Sequence, residues 1–303
     1  MAAIARQLSF SASLRDQRGW KTAVIFAAPA LILFTVFIVL PVFEAGSASF
    51  YNWNGLRAPT ADKFIGLQNF QQLLGNSTFR RAISNTGLLI LVSLLIQLPL
   101  ALAMATLLAG RRFGNIAFRM IFFLPFILAD IAAGLIFHYV FDGDVGLVSI
   151  VSEWMGFGPI ALLADRDLAI ITILVAATWK YFGFHMMLYI AGMQAIDRSL
   201  YEAAAIDGAN AWQQFRHVTV PGIVSTIRLS ILFAILGCLQ FFDLIVPLTG
   251  GGPLNGSHTL VSFLYYFGIV RMRVGFGDAV GVTLFIVCVA VALTYRRWVM
   301  RND

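Results

Sequence analysis

Long apolar runs alternate with short polar segments along the whole chain, and that alternation predicts its elements. Thr22–Phe43, Ala82–Gly110, Met120–Phe141, Leu168–Gly192, Leu229–Leu248 and Ala279–Tyr295 are the apolar runs. About 20 apolar residues in a helix cross the roughly 30 Å hydrocarbon layer of a bilayer, so the pattern predicts six spans. The first run is longer than the apolar core of a cleaved signal peptide and reads as a retained helix. Leu124-Pro125 is expected to kink the third span. Phe64–Leu74 is expected to lie along the membrane surface, and the Gly/Pro-rich Leu248–Thr259 cannot be regular helix. The chain divides into a polar tail, residues 1–21, and one transmembrane domain, residues 22–303.

Composition agrees. Apolar residues make up 59% of the 303 residues and charged ones 12%, about half the charge of an ordinary soluble domain. The net charge of +6 comes from basic residues flanking the apolar runs, which is how membrane proteins mark orientation and not how nucleic-acid binders are built. Both tails and the loops after the second and fourth runs hold twelve Lys and Arg, against seven in the other loops. The Arg-rich side is cytoplasmic, so both termini are expected there. Cys238 and Cys288 sit inside apolar runs and read as small packing residues.

One segment is too polar and too broken to cross. Residues 199–222 lie between the fourth and fifth runs. Ser199 and Glu202 have capping-box spacing, which predicts a helix start. Asp207-Gly208 predicts a sharp turn, and Trp212, Phe215 and Val218 then place one apolar face on a second helix. Pro221 separates that helix from the next span. The segment is expected to be a helix–turn–helix on the cytoplasmic face, with an apolar ridge that needs a partner.

Glu202-Ala203-Ala204, followed by Asp207-Gly208-Ala209 and later Phe215 and Pro221, resembles the "EAA" loop of permease subunits from bacterial ATP-binding-cassette importers. Asn69-Phe70, Asn85-Thr86, Leu124-Pro125 and Gly251-Gly252-Pro253 with Thr259 and Tyr265-Tyr266 resemble further landmarks of the carbohydrate-uptake branch, in its maltose-type F half. The resemblance implies an all-α, six-helix bundle of the type I importer permeases in the bacterial inner membrane. It implies that the EAA-like loop is a coupling helix docked on an ATPase. The implied partners are a homologous second permease, two ATPase subunits that bind the ATP and magnesium, and a periplasmic solute-binding protein that delivers sugar. It also places Lys180, Tyr181, Phe184, Gly237, Cys238 and Phe241 on the substrate path.

Sequence chemistry fits a path without catalysis. The three lysines, Lys21, Lys63 and Lys180, all lack a preceding glycine, so there is no phosphate-binding GKS or GKT loop. His138, His185, His217 and His258 are scattered, and no cofactor or metal is expected on this chain. A secondary transporter would ordinarily carry repeated halves, and none is visible; a membrane enzyme would need paired catalytic groups. Lys180 stands in the middle of the fourth run, where a charge is costly unless it has water or a partner. Two readings stand side by side. Lys180 contacts an acidic group on the transported sugar, or it forms an ion pair with Asp130 or Asp243. The nearby aromatics, Tyr181, Phe182, Phe184, Phe241 and Phe242, are candidates for sugar stacking or for plain packing.

Overall fold

The computed structural model describes residues 17–110 and 113–299. Most of the predicted N-terminal tail, Arg111, Arg112 and Arg301 lie outside the described residues. Among the described residues, four continuous helices are long and apolar enough to cross a membrane: Val24–Ala48 (α1), Ser77–Leu108 (α3), Ala169–Gln194 (α7) and Val274–Trp298 (α13). They match the first, second, fourth and sixth runs. A short helix, Gln68–Gly75 (α2), precedes α3 and packs against α13.

The third and fifth spans depart from expectation. The third is a bent pair, Phe113–Ile127 (α4) and Asp130–Val140 (α5), turned by 96°. The break falls at Leu128-Ala129, three residues beyond Pro125, where Ala129 takes extended angles of φ −58° and ψ 137°. The fifth span, Val224–Leu239 (α10), starts before the predicted run Leu229–Leu248 and ends well short of its far end. The remainder turns and forms Ile245–Thr249 (α11), which folds back on α5. Close packing explains the turn. A Cβ on Gly134 of α5 would meet Pro247 Cγ at 2.4 Å and Leu244 O at 2.7 Å, so only glycine lets α11 settle there. Leu147–Trp154 (α6) lies in the acidic connection between α5 and α7.

Three buried clusters hold the bundle. Leu73, Phe79, Ala82, Phe263, Phe276 and Val280 join α2 and α3 to Leu260–Val270 (α12) and α13. Ala101 and Ala105 of α3 meet Met186, Tyr189 and Ile190 of α7; small residues four apart let membrane helices approach closely without a hydrophobic drive between them. Ala133, Ile173, Ala176, Ile245 and Leu248 pack α5, α7 and α11 together. Polar ties fix the outer loop. Asn85 Nδ2 on α3 donates to Gly256 O at 2.8 Å and His258 O at 2.9 Å, and Thr259 Oγ1 donates to Phe241 O at 2.7 Å. The Gly/Pro-rich loop is therefore buried at its base, with Leu254 exposed at its tip. At the other end, Arg119 on α4 donates to the carbonyls of Leu108, Ala109 and Gly110. A guanidinium there satisfies the last carbonyls of α3 and complements the negative end of its dipole.

The α4–α7 crossing is equally tight. A Cβ on Gly183 would stand 2.0 Å from Phe122 O. Gly183→Ala is expected to force the helices apart at a cost of roughly 1–3 kcal/mol, read as a lower melting temperature of the detergent-solubilised protein, whereas Gly114→Ala, with nothing within 4 Å, should melt as the wild type does.

Candidate substrate cavity and coupling hairpin

Two sites emerge, one inside the bundle and one at its end. The cavity encloses about 370 Å³ between α3, α7, α10 and the α4–α5 break. Tyr181 and Phe184 of α7, Gly237 and Cys238 of α10, and Phe241 just beyond it all line the wall. Phe126 stacks on Phe184 with ring centroids 4.8 Å apart, and Tyr181 meets Phe241 edge-on at 6.0 Å. Ser93, Gln97, Asp130, Thr178, His185, Gln240 and Asp243 add hydrogen-bonding groups. Aromatic faces next to polar groups suit a sugar ring, which has apolar CH faces and a hydroxyl rim. Of the predicted path residues, Lys180 alone is not brought to the wall; its residue is 2% exposed.

Its ammonium is engaged elsewhere. Lys180 Nζ lies 3.0 Å from Asp130 Oδ1 and 3.2 Å from Pro125 O, and it also donates to Leu128 O. Tyr181 OH donates to the same Asp130 oxygen at 2.9 Å. The ion-pair reading thus has its partner, Asp130 and not Asp243. Lys180 caps the carbonyl end of α4, and Asp130 occupies the first turn of α5, each charge matching the helix end it faces.

Sequence reading missed Ser93 and Gln97, which the described structure places on the wall. Both bound a π-helical segment, Ser93–Gln97, inside α3, and such one-turn bulges aim side chains out of helical register. A buried glutamine in an otherwise apolar run was the available signal.

The 199–222 segment, the expected coupling loop, forms a helical hairpin, Arg198–Ile206 (α8) and Ala211–Gly222 (α9). Its start differs from expectation. Asp197, not Ser199, is the N-cap and accepts from Ser199 N at 2.9 Å, while Glu202 pairs with Arg198 at 3.1 Å instead of reaching back. Aspartate two residues earlier wins because its carboxylate reaches the first free backbone donors. A capping box does occur, at Asn210 and Gln213, where it starts α9. The turn is as predicted: Gly208 has φ +80°, with Gly208 N on Ala205 O and Ala209 N on Ala204 O, the paired bonds of a Schellman ending. Glu202, Ala203 and Asp207 are exposed, as is Pro221, while Ala204, Ala209 and Phe215 are partly covered. Of the expected ridge, Trp212 is 66% exposed and stacks near Phe215 at 5.3 Å; Phe215 and Val218 are half-buried against the bundle. Ile206, at the turn, is 87% exposed.

Residues 97–302 match the family described as the binding-protein-dependent transport system inner membrane component. The chain belongs to that family. Among its relatives, the lactose transport system permease protein LacF of Rhizobium radiobacter is 32% identical over 293 residues, 93% of each chain. The sulfoquinovosyl glycerol transport system permease protein SmoG of Agrobacterium fabrum (strain C58 / ATCC 33970) is 32% identical over 93% of this chain and 91% of its own. The arabinooligosaccharides transport system permease protein AraP of Bacillus subtilis (strain 168) is 30% identical, covering 93% and 92%. A crystal structure of a bacterial transporter that imports the acidic polysaccharide alginate superposes with a TM-score of 0.83 over 97% of this chain and 99% of that one, at 23% identity. These comparisons support the type I permease fold, with its carbohydrate-importer relatives, that the sequence resemblance implied.

Breaking the buried pair on one side leaves a charge without its partner. Lys180→Met is expected to destabilise this permease by roughly 3 kcal/mol, read as loss of thermal stability in detergent. The double variant Lys180→Met with Asp130→Asn should recover part of that loss, the carbonyls of Pro125 and Leu128 staying without their donor.

Proposed function

We propose that this chain is one of two membrane subunits of an ATP-driven importer for a sugar or oligosaccharide. The observation that carries the reading is the layout of α7 and α10. The cavity-lining Thr178, Tyr181 and Phe184 sit mid-way along α7, and the same helix leads through Asp197 into the hairpin. The hairpin then feeds α10, which reaches the cavity again at Gly237 and Cys238. A displacement of α8–α9 is thereby delivered to both sides of the cavity by rigid helices. That is what coupling between two sites requires: one body whose alternative positions both ligands sense.

In this reading an ATPase subunit takes the exposed Ile206, Trp212 and the Glu202–Asp207 surface. The matching chain supplies the second half of the path. A solute-binding protein meets the opposite end, at the acidic connection around α6 and the tip at Leu254. ATP drives ATPase closure, the hairpins move, and the bundle opens outward to take the sugar. Glu202, Ala203, Ala204, Asp207, Gly208, Ala209, Phe215 and Pro221 form the coupling surface; Tyr181, Phe184, Gly237, Cys238 and Phe241 form the path. The names of the relatives, transporters of lactose, arabinooligosaccharides and a sulfosugar glycoside, support a carbohydrate cargo.

Gly208 tests the lever. Nothing lies within 4 Å of a Cβ placed there, so Gly208→Leu meets only the left-handed backbone penalty of about 1–2 kcal/mol. The complex should still reach the membrane, yet its ATPase should dissociate or hydrolyse ATP without sugar uptake. Full ATP-dependent uptake in proteoliposomes would refute the assignment of this hairpin.

Orientation has its own test. A cysteine at exposed Glu153 should react with a membrane-impermeant maleimide in cells whose outer membrane alone is permeabilised. One at exposed Gln213 should react only after the inner membrane is opened; the reverse order would invert the topology.

A further inference from the structure

The charges around the cavity bear on which sugars pass. Two carboxylates line it, Asp130 and Asp243. The nearest cation, Lys180, is behind the wall, and its donors are committed. An ammonium has three N–H groups, and Lys180 Nζ has three acceptors: Asp130 Oδ1, Pro125 O and Leu128 O. None is left for a substrate anion. His185, also on the wall, is 4% exposed and has Nδ1 2.7 Å from Ser230 Oγ. Two helix ends meet the same space: the last turn of α10, at Gly237 and Cys238, and the first turn of α5, at Asp130. The partial charges of a helix C-terminus and a helix N-terminus are opposite in sign. Among the described residues that line the cavity there are two carboxylates, Asp130 paired with Lys180 behind it and Asp243, and no lysine or arginine.

We infer that Asp130 is a specificity-determining residue, fixed at the wall by Lys180 and Tyr181. With Asp243 it makes this half of the path select uncharged or amine-bearing sugars and disfavour acidic ones. The inference rests on the cavity being the sugar path. It reverses the expectation that a mid-span lysine signals an anionic cargo: here the lysine positions a carboxylate. Asp130 Oδ1 already receives Lys180 and Tyr181 OH, and the side chain remains 30% exposed toward the cavity. A carboxylate held this way accepts hydrogen bonds from sugar hydroxyls or an ammonium and cannot rotate away. A uronate or sulfonate brings no donor to Asp130 and meets the like charge of Asp243.

Cys238 offers a native reporter, because its thiol lines the same cavity. The assembled importer in proteoliposomes is treated with a small neutral methanethiosulfonate, a cationic aminoethyl one and an anionic sulfonatoethyl one. Modification of the Cys238 peptide is followed by mass spectrometry, with rates normalised to those for free 2-mercaptoethanol. The neutral reagent should react, and the cationic reagent should outpace the anionic one by about tenfold or more. That ratio should fall several-fold in Asp243→Asn, an exposed position whose change leaves packing alone, and again in Asp130→Asn. A ratio near one, an anionic preference, a ratio unmoved by both substitutions, or no reaction with the neutral reagent would each overturn the inference. Labelling reads the field of the wall without any transport. Absence of sugar uptake by the intact importer would therefore count against the transport reading and leave the labelling result standing.

Discussion

The bundle depends on how the chain satisfies a broken helix inside an apolar environment. Backbone carbonyls freed by a break have no water to turn to in a bilayer, so such a break persists only where protein groups replace the lost bonds. Between α4 and α5 the replacement is Lys180, which donates to Pro125 O and Leu128 O from the neighbouring helix. Asp130 neutralises it at 3.0 Å. One ion pair thus stabilises the end of one half-helix, the start of the next, and the contact of both with α7. Without it, the 96° turn that opens space beside Tyr181 and Phe126 has no electrostatic support.

The same break determines the cavity's shape. Because α5 leaves the axis of α4, α11 can fold onto it through Gly134 and Pro247, and α10 can end early at Leu239. The early end brings Phe241 beneath Tyr181 and leaves Gly237 without a neighbour within 4 Å of its Cβ position. Gly237 therefore keeps the wall open where a larger side chain would fill it.

Much of this was legible in the sequence, and the exceptions share a cause. Spans with a long uncharged run and polar flanks, α1, α3, α7 and α13, were readable to within a few residues. The third and fifth were not, because hydropathy averages over side chains and is blind to backbone direction. Leu128-Ala129 and Gln240–Leu244 turn within apolar surroundings, so the pattern runs on through them. Pro125 marked the neighbourhood of the first turn and misplaced its vertex. Gly208 was readable because a left-handed turn has a strong residue preference. The cap was not, since Asp197 and Ser199 are both good caps and only geometry chooses between them. Five of the six residues to which the resemblance pointed line the cavity. Lys180 failed to join them because its partner depends on where the third helix breaks.

Arg119 serves two masters. It counts among the basic residues before the third apolar run, whose charge is the expected orientation signal, and from α4 it also binds the last carbonyls of α3. Insertion and folding therefore draw on one residue at different times: first as a free charge read during membrane integration, later as a cap on a finished helix. A substitution that spares the bias, such as Arg119→Lys, keeps the topogenic charge but presents no planar fork to three carbonyls. Biogenesis and architecture are in this way separable at a single position.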